Sequence, residues 1–119
     1  MNEYILCAAI WYKDIPIKKE LPSEAMIRPV NCDRGLVFCG HRHAQCMYTM
    51  TSITGLRTCE IGEDCSGEHI QGFLTSKNRF VDREEGASIH RANGHKTDFE
   101  NRLFSEDLYW KEIFGKTIR

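Results

Sequence analysis

The sequence predicts a small α+β domain with a mainly antiparallel sheet, a few short helices and an aromatic-rich C-terminal helix. Its 119 residues suit one hydrophobic core, so residues 1–119 are predicted to form a single domain. Three short apolar runs have the composition of β-strands. They alternate with segments that carry helix start and stop signals, which favours strands and helices in one chain.

The three predicted strands are the apolar runs at residues 4–12, 35–40 and 70–75. The first run is continuous and rich in strand-forming residues, and no helix cap precedes it. This pattern is typical of a central strand that is covered on both faces. After the first run, a polar stretch up to Arg34 is predicted to form a long connection, and it is interrupted by Pro16, Pro22 and Pro29.

The first two predicted helices have recognisable ends. Residues 44–53 favour a helix that stops near Gly55, because glycine readily adopts the left-handed conformation found at helix ends. A second helix is predicted to begin at Asp82, three residues before Glu85, and to reach about Ala92. This spacing is typical of an N-terminal capping pair.

The second predicted helix contains a glycine, and a third helix is predicted near the C-terminus. Gly86 lies early in the second predicted helix, where glycine costs about 1 kcal/mol relative to alanine. A third helix is predicted to begin at Ser105 and to present an apolar side suited to packing. The residues of that side are Leu108, Tyr109, Trp110, Ile113 and Phe114.

Charge and hydropathy argue against two classes of partner. Sixteen basic and seventeen acidic residues give a formal charge of -1, which leaves no broad positive surface for duplex nucleic acid. No apolar run approaches the roughly 20 residues of a membrane-spanning helix. The N-terminal residues lack the basic region of a secretory signal, so we expect a cytoplasmic protein whose six cysteines are thiols.

A run of cysteines and histidines follows the second predicted strand. If that strand continues to residue 43, Cys39, His41 and His43 lie on one face, since side chains alternate along a strand. Cys46 would then complete a tetrahedral ligand set for zinc. The spacing differs from that of common zinc motifs, so the alternative is buried thiols and hydrogen-bonded histidines. No metal or cofactor is predicted.

A different interpretation assigns positive side chains to an anionic ligand. Arg42 and His43 lie where a strand gives way to a helix, so their side chains and nearby N–H groups can face a phosphate. Residues 76–83 offer similar donors beside aromatic rings on which a base can stack. The alternative is a solvated turn with a phenylalanine in the core. The predicted ligand contacts in and beside this segment are Phe73, Asn78, Arg79, Phe80 and Arg83.

Four stretches of the sequence together resemble a family of small proteins encoded by bacteriophages and prophages. They cover nearly the whole chain, at residues 5–10, 37–43, 71–85 and 103–109. Their sequences are ILCAAI, VFCGHRH, QGFLTSKNRFVDREE and LFSEDLY. The family is identified as one that includes the Thoeris anti-defence protein 1 type of phage immune antagonist.

This resemblance implies a protein that sequesters a signal and has no catalytic residues. Such proteins bind cyclic ADP-ribose isomers made by bacterial TIR proteins and hold them away from their effector. Members are oligomeric, with signal pockets between protomers, and some also bind cyclic oligonucleotides. We therefore expect a phage-encoded anti-defence protein in the host bacterial cytoplasm. Its expected partners are a small nucleotide signal and further copies of itself.

Two other classes of function stay open on the sequence. One is a small enzyme that acts on nucleotides or phosphoesters and uses His41 and His43, with or without zinc. The other is a protein that binds and blocks a host protein through exposed aromatic side chains near Tyr109 and Trp110. Retention of an intact nucleotide by the purified protein would distinguish sequestration from both of these classes of function.

Overall fold

The strands and helices of the protein lie largely where the sequence predicts them. A computed structural model describes residues 2–15, 28–57 and 69–108. The three predicted strands and the first two predicted helices are confirmed, and a fourth, short strand joins them. In chain order the elements are β1 (Ile5–Tyr12), β2 (Leu36–Gly40), α1 (His43–Thr54), β3 (Ile70–Thr75), β4 (Phe80–Asp82), α2 (Arg83–Ala92) and a 3-10 turn (Ser105–Leu108).

The four strands form one sheet in the order β2-β1-β3-β4, and every neighbouring pair is antiparallel. α1 connects β2 to β3, which flank β1 and run parallel to each other. β1 occupies an inner position, as its continuous apolar run predicts, and its residues 8–10 are fully buried. The predicted α+β class is confirmed by this arrangement.

Both helices pack on one face of the sheet. Ile10 of β1, Met50 of α1 and Phe73 of β3 are fully buried in this layer. Ala87 of α2 and Leu103 belong to the same cluster. Burial of each large apolar side chain contributes about 1.5 to 3 kcal/mol relative to exposure. β2 leads into α1 and β4 leads into α2, so each helix begins near the end of a strand of the sheet.

α2 approaches the sheet closely at Gly86, the residue that lowers its helix propensity. A Cβ atom at this position would lie 3.1 Å from Phe73 Cδ2 and 3.3 Å from Leu103 Cδ2. Both neighbouring side chains are fully buried. The close packing of α2 against β3 and Leu103 therefore accounts for a glycine inside a helix.

The opposite face of the sheet is covered in part by residues 28–34. Cys32 packs with Phe80 in a second apolar cluster, and the rings of Phe80 and Trp11 meet edge-on at 5.9 Å. The side-chain amide of Asn31 donates to Phe80 O at 2.6 Å and accepts from Phe80 N–H at 2.8 Å. Asn31 thus bonds to the edge of β4 as a neighbouring strand would.

β4 exists because a tight turn at residues 76–78 reverses the chain after β3. Asn78 has a φ of 57°, a left-handed conformation that asparagine tolerates better than most residues. Thr75 N–H donates to Arg79 O at 2.9 Å and closes the turn. The pattern is that of a three-residue hairpin loop. The turn is therefore confined to residues 76–78, and Phe80 already belongs to a strand.

The second strand ends at Gly40, as predicted, and His43 is the first residue of α1. The condition under which Cys39, His41 and His43 would share one face of a strand is therefore not met. At the C-terminal end, Ser105–Leu108 form a 3-10 turn. The remaining residues of the predicted third helix, from Tyr109 onward, lie outside the described residues. None of the described helices has the length and apolar character needed to cross a membrane.

Candidate functional site

His43, the first residue of α1, is buried against β3. Its Nε2 atom lies 2.8 Å from the carbonyl oxygen of Gly72, and its ring meets Phe73 edge-on at 5.2 Å. Because a carbonyl oxygen only accepts, Nε2 carries the hydrogen and Nδ1 presents a lone pair. Burial is the main cause that lowers the pKa of His43, and the charge of nearby Arg83 lowers it further. The lowered pKa favours a neutral ring near pH 7.

Arg83, the first residue of α2, is held by four contacts. Nη2 donates to Gln71 Oε1 at 2.7 Å, and Nη1 donates to Leu103 O at 2.8 Å. Nη2 also lies 3.5 Å from His43 Nδ1, the atom with the lone pair. The guanidinium lies over the ring of Phe104 at 4.5 Å. Its orientation is therefore fixed before any ligand arrives.

Arg102 brings a second guanidinium to the same ring. Its charged group lies 6.0 Å from the centre of Phe104, over which Arg83 also lies. Among the ion pairs formed within residues 2–15, 28–57 and 69–108, none involves Arg83 or Arg102. Burial is the main cause that lowers the pKa of Arg83, and the like charge of Arg102 lowers it further. Two positive side chains are thus held close together, and no carboxylate of the described residues forms an ion pair with either.

An open groove of about 670 Å³ lies beside these two residues, and we name it the arginine groove. Its lining has positive, negative, amide and aromatic groups. The ring of His69 in this lining stacks on the buried ring of Tyr12 at 5.6 Å. The polar side chains that line it are those of Arg83, Arg102, Gln71, Asn101, Asp82, Glu84 and His69.

Arg42 is connected to this region through a carboxylate. It precedes α1, and its Nη1 atom forms an ion pair with Glu106 of the 3-10 turn at 3.3 Å. The charge of Glu106 also acts on His43 and Arg83, where it opposes the lowering of both pKa values. Glu106 therefore balances part of the positive charge around the groove.

The structure brings together four of the seven predicted ligand contacts. Arg42, His43, Phe73 and Arg83 lie where the starts of α1 and α2 meet β3. Phe73 is fully buried and packs beneath His43, so its role in this place is to support that ring. Of these four residues, only Arg83 lines the groove.

The other three predicted contacts, Asn78, Arg79 and Phe80, lie at the hairpin between β3 and β4. Gln71 of the groove and Thr75 of the hairpin are at opposite ends of β3. Asn78 forms the turn, and Phe80 packs into the cluster on the other face of the sheet. As ligand contacts these three residues stay predictions, and they belong to a different part of the surface from the groove.

Arg79 is engaged by carboxylates at the hairpin. Its Nε and Nη2 atoms donate to the two carboxylate oxygens of Glu3 at 2.8 and 2.9 Å, and Nη2 also donates to Glu85 at 2.9 Å. Thr75 Oγ1 donates to Glu3 at 2.6 Å. The hydrogen bonds from Arg79 and then Thr75 lower the pKa of Glu3 to about 2. This network ties the N-terminal residues to β3 and α2.

The cysteine and histidine run is divided between different elements. Cys39 is exposed on β2, whereas Cys46 is buried and directs its thiol to Ala8 O at 3.6 Å and Arg42 O at 3.4 Å. Within the described ranges, no three side chains of His, Cys, Asp or Glu form a group that could hold a metal ion. His43 is hydrogen-bonded to a backbone oxygen, as the alternative interpretation of this run expects.

Sequence reasoning missed Gln71, Arg102 and Phe104 as neighbours of Arg83. Leu103 N–H donates to Arg83 O at 2.9 Å, and this bond joins residues 102–104 to the start of α2. No spacing in the sequence signals a contact between segments that lie so far apart along the chain. The pairing of the two arginines is a consequence of tertiary structure alone.

Comparison with known proteins identifies the family of the chain. The family model described as Phage T4 y16D protein matches residues 4–109, most of the chain. No curated protein and no solved structure gives a significant match. The predicted resemblance to small phage proteins is supported by this match. The chain therefore belongs to the phage T4 y16D protein family.

Proposed function

We propose that this phage-family protein binds a nucleotide signal in the arginine groove and holds it without chemical change. The observation that carries the proposal is the pair of guanidiniums of Arg83 and Arg102. They share the ring of Phe104, and neither forms an ion pair within the described residues. Two positive charges held close together repel each other, and a bound phosphate or pyrophosphate would offset that repulsion.

The dimensions and lining of the groove suit a small phosphorylated ligand with hydroxyl groups. Its volume of about 670 Å³ lies in the range of about 300 to 1,000 Å³ typical of small-molecule sites. Gln71 accepts from Arg83 through Oε1, so its side-chain nitrogen carries the N–H groups that can donate to a ligand. Asp82 and Glu84 line the same groove and can accept hydrogen bonds from ribose hydroxyls.

The resemblance to the Thoeris anti-defence type favours a cyclic ADP-ribose isomer as the signal, with cyclic oligonucleotides as further candidates. Such a ligand carries a pyrophosphate, ribose hydroxyls and an adenine. His69 is the aromatic residue in the lining of the groove. Phe73 and Phe80, to which the sequence assigned this stacking, are both buried. The proposal therefore gives the stacking role to His69.

The geometry of His43 favours binding over turnover. A histidine that acts as general base needs a ring nitrogen within reach of the substrate proton. Nε2 of His43 bonds to Gly72 O, and Nδ1 faces Arg83. His43 is therefore better suited to position Arg83 than to take a proton. This argues against the alternative of a His-dependent enzyme that uses this residue.

The first test asks whether a ligand is retained and in what form. The purified protein is incubated with cyclic ADP-ribose isomers and with cyclic di- and trinucleotides, free ligand is removed, and the denatured sample is analysed by mass spectrometry. We expect intact ligand in stoichiometric amount. A chemically altered product would establish an enzyme instead. Neither retention nor turnover of any member would refute sequestration of these signals.

A pair of arginine variants locates the site. Arg102→Gln removes one of the two adjacent charges, so affinity for the retained nucleotide is expected to fall at least tenfold, about 1.4 kcal/mol. Arg102 is exposed, and its replacement leaves the core intact. Arg91→Gln is the matched control, because Arg91 is also exposed and lies outside the groove. Equal affinity of both variants in a calorimetric titration would exclude the arginine groove as the binding site.

A further inference from the structure

Cys7 of β1 and Cys39 of β2 are neighbours on one face of the sheet. In the pairing of the two strands Cys39 lies opposite Ala9, and Cys7 is two residues before Ala9 on β1. Because side chains alternate along a strand, all three lie on the same face, and the two cysteines are diagonal neighbours. Ala9 belongs to the second apolar cluster, so this face is the one opposite the two helices.

The two thiols are joined by a hydrogen bond. The thiol of Cys39 donates to the sulfur of Cys7, and Gly40 N–H donates to the same sulfur. The bond from Cys39 is the main cause that lowers the pKa of Cys7, and the bond from Gly40 lowers it further. The bond between the thiols raises the pKa of Cys39. When the pair loses one proton, the negative charge therefore lies on Cys7, and Cys39 keeps its hydrogen.

The other two cysteines of residues 2–15, 28–57 and 69–108 have the opposite character. Cys32 and Cys46 are buried, and burial is the main cause that raises the pKa of each thiol to about 11. By contrast, Cys7 is half-buried and Cys39 is exposed. Since the thiolate is the form of cysteine that attacks a disulfide, Cys7 is the most reactive of these four cysteines.

Both members of the pair lie beside irregular parts of the strand pairing. The register of β1 against β3 shifts between Ile5 and Cys7, and β2 ends one residue after Cys39, at Gly40. A covalent bond requires the two sulfurs to approach to about 2.05 Å, closer than a hydrogen bond holds them. Near a shift in register and the end of a strand, this approach requires only a local adjustment of the backbone.

We propose that Cys7 and Cys39 form a redox-active dithiol, a modification site that reacts with low-molecular-weight disulfides and closes into a reversible disulfide between β1 and β2. The Cys7 thiolate attacks one sulfur of the reagent, whose S–S bond breaks. A mixed disulfide forms at Cys7, and the first reagent thiolate leaves and takes the proton of Cys39. The Cys39 thiolate then attacks the sulfur of Cys7, and the second reagent thiolate leaves and takes a proton from water.

The two cysteine thiols are oxidised in this exchange, and the reagent disulfide receives their two electrons and becomes two thiols. In a reducing compartment the dithiol form prevails, and the disulfide forms when the pool of small thiols becomes oxidised. The pair lies on β1 and β2, whereas the arginine groove is lined by residues of β3, β4, α2 and 101–102. The proposal therefore does not depend on nucleotide binding.

Oxidised glutathione is the probe for the first test. The reduced full-length protein is incubated with it, the remaining thiols are alkylated, and the protein is digested with trypsin without reduction. Trypsin places Cys7 in the peptide of residues 1–13 and Cys39 in the peptide of residues 35–42. Mass spectrometry is expected to find these two peptides linked, with the loss of the mass of two hydrogen atoms. A thiol reductant should separate them again.

The buried cysteines are the control within the same sample. Cys32 and Cys46 lie in tryptic peptides of their own, and both are expected to stay outside the linked product. Three results would overturn the proposal: both members of the pair alkylated after the incubation, glutathione retained on either without a link between them, or a link from either to another cysteine.

Two variants of Cys39 test its two roles, and both leave the core intact because Cys39 is exposed. Cys39→Ser removes the second thiol, so the linked product should be lost and glutathione should remain on Cys7. Cys39→Ala also removes the hydrogen-bond donor, so the pH at which Cys7 is alkylated at half its maximal rate should rise. A Cys39→Ser protein without glutathione on Cys7, or an unchanged pH profile in Cys39→Ala, would overturn the role assigned to the pair.

Discussion

Arg79 binds both carboxylate oxygens of Glu3 and also reaches Glu85. Hydrogen bonds from Arg79 first, and then from Thr75, lower the pKa of Glu3 from 4.5 to about 2. A carboxyl group whose pKa is lower in the folded state stabilises the fold at pH values above its unfolded pKa. This contribution is present above about pH 4.5 and is lost as the pH falls toward 2.

Arg79→Gln is expected to lower the free energy of unfolding at neutral pH by about 1 to 2 kcal/mol, since it removes charged hydrogen bonds at a partly buried site. The pKa of Glu3 then returns toward its usual value. The variant should therefore lose less additional stability in acid than the wild type does. Urea midpoints at about pH 7 and about pH 3 measure both effects.

The control for this experiment is Arg91→Gln, an exposed change near the other end of α2. It should leave both the midpoint at neutral pH and its acid dependence close to those of the wild type. If Arg79→Gln kept the full acid dependence, the shift in the pKa of Glu3 would have another cause.

At the scale of an element, α2 depends on a residue that weakens it as a helix. Gly86→Ala gains about 1 kcal/mol in helix propensity. The added Cβ atom would crowd Phe73 and Leu103, both fully buried, and overpacking of a core costs about 1 to 3 kcal/mol. We expect a net loss of about 1 kcal/mol in the free energy of unfolding, measured by urea denaturation.

Ser88→Ala provides the comparison within the same helix. Ser88 is exposed, so its replacement changes helix propensity without changing the packing and should stabilise the protein slightly. If Gly86→Ala stabilised the protein to a similar extent, the close approach of α2 to β3 would be looser than the distances indicate.

The elements could be predicted from sequence because their signals are local. The continuous apolar run of β1 marks a covered strand, and Asp82 caps α2 through a bond of 2.8 Å from Glu85 N–H. β4 was missed because its formation depends on the left-handed conformation of Asn78, which shortens the turn. The explanation for Gly86 also required the distances to its neighbours.

The candidate site could be predicted only in part. The junction of β2 and α1 contains Arg42 and His43, and a local pattern placed both there. By contrast, Arg79 has the residue type expected of a phosphate contact, and its sequence context gave no sign that its guanidinium binds Glu3 and Glu85. Arg102 has no motif and reaches Arg83 through tertiary packing. Residue type predicts what a side chain can bind, and the fold decides what lies next to it.

For the molecule as a whole, two buried histidines predict how stability changes near neutral pH. Burial is the main cause that lowers the pKa of both His43 and His90 from 6.5. Below about pH 6.5 the unfolded chain binds protons that the folded protein does not. The free energy of unfolding should therefore fall as the pH drops below 6.5, by at most about 1.4 kcal/mol per pH unit for each histidine.

Urea midpoints between about pH 7.5 and pH 5.5 measure this slope. Glutamine at both positions keeps an N–H donor and removes the titrating group, so the double variant should show a flatter profile. A wild-type midpoint that is constant across this interval would contradict the prediction.

Asn31 has a consequence for how large an assembly can become. A sheet with two open edges adds copies at both ends and grows into a fibre. β4 forms one edge of this sheet. The outward-facing N–H and C=O groups of Phe80 in β4 are already bonded to the side-chain amide of Asn31. These two backbone groups are therefore not available to a strand of another chain, and one amide side chain blocks growth of the sheet at this point of its edge.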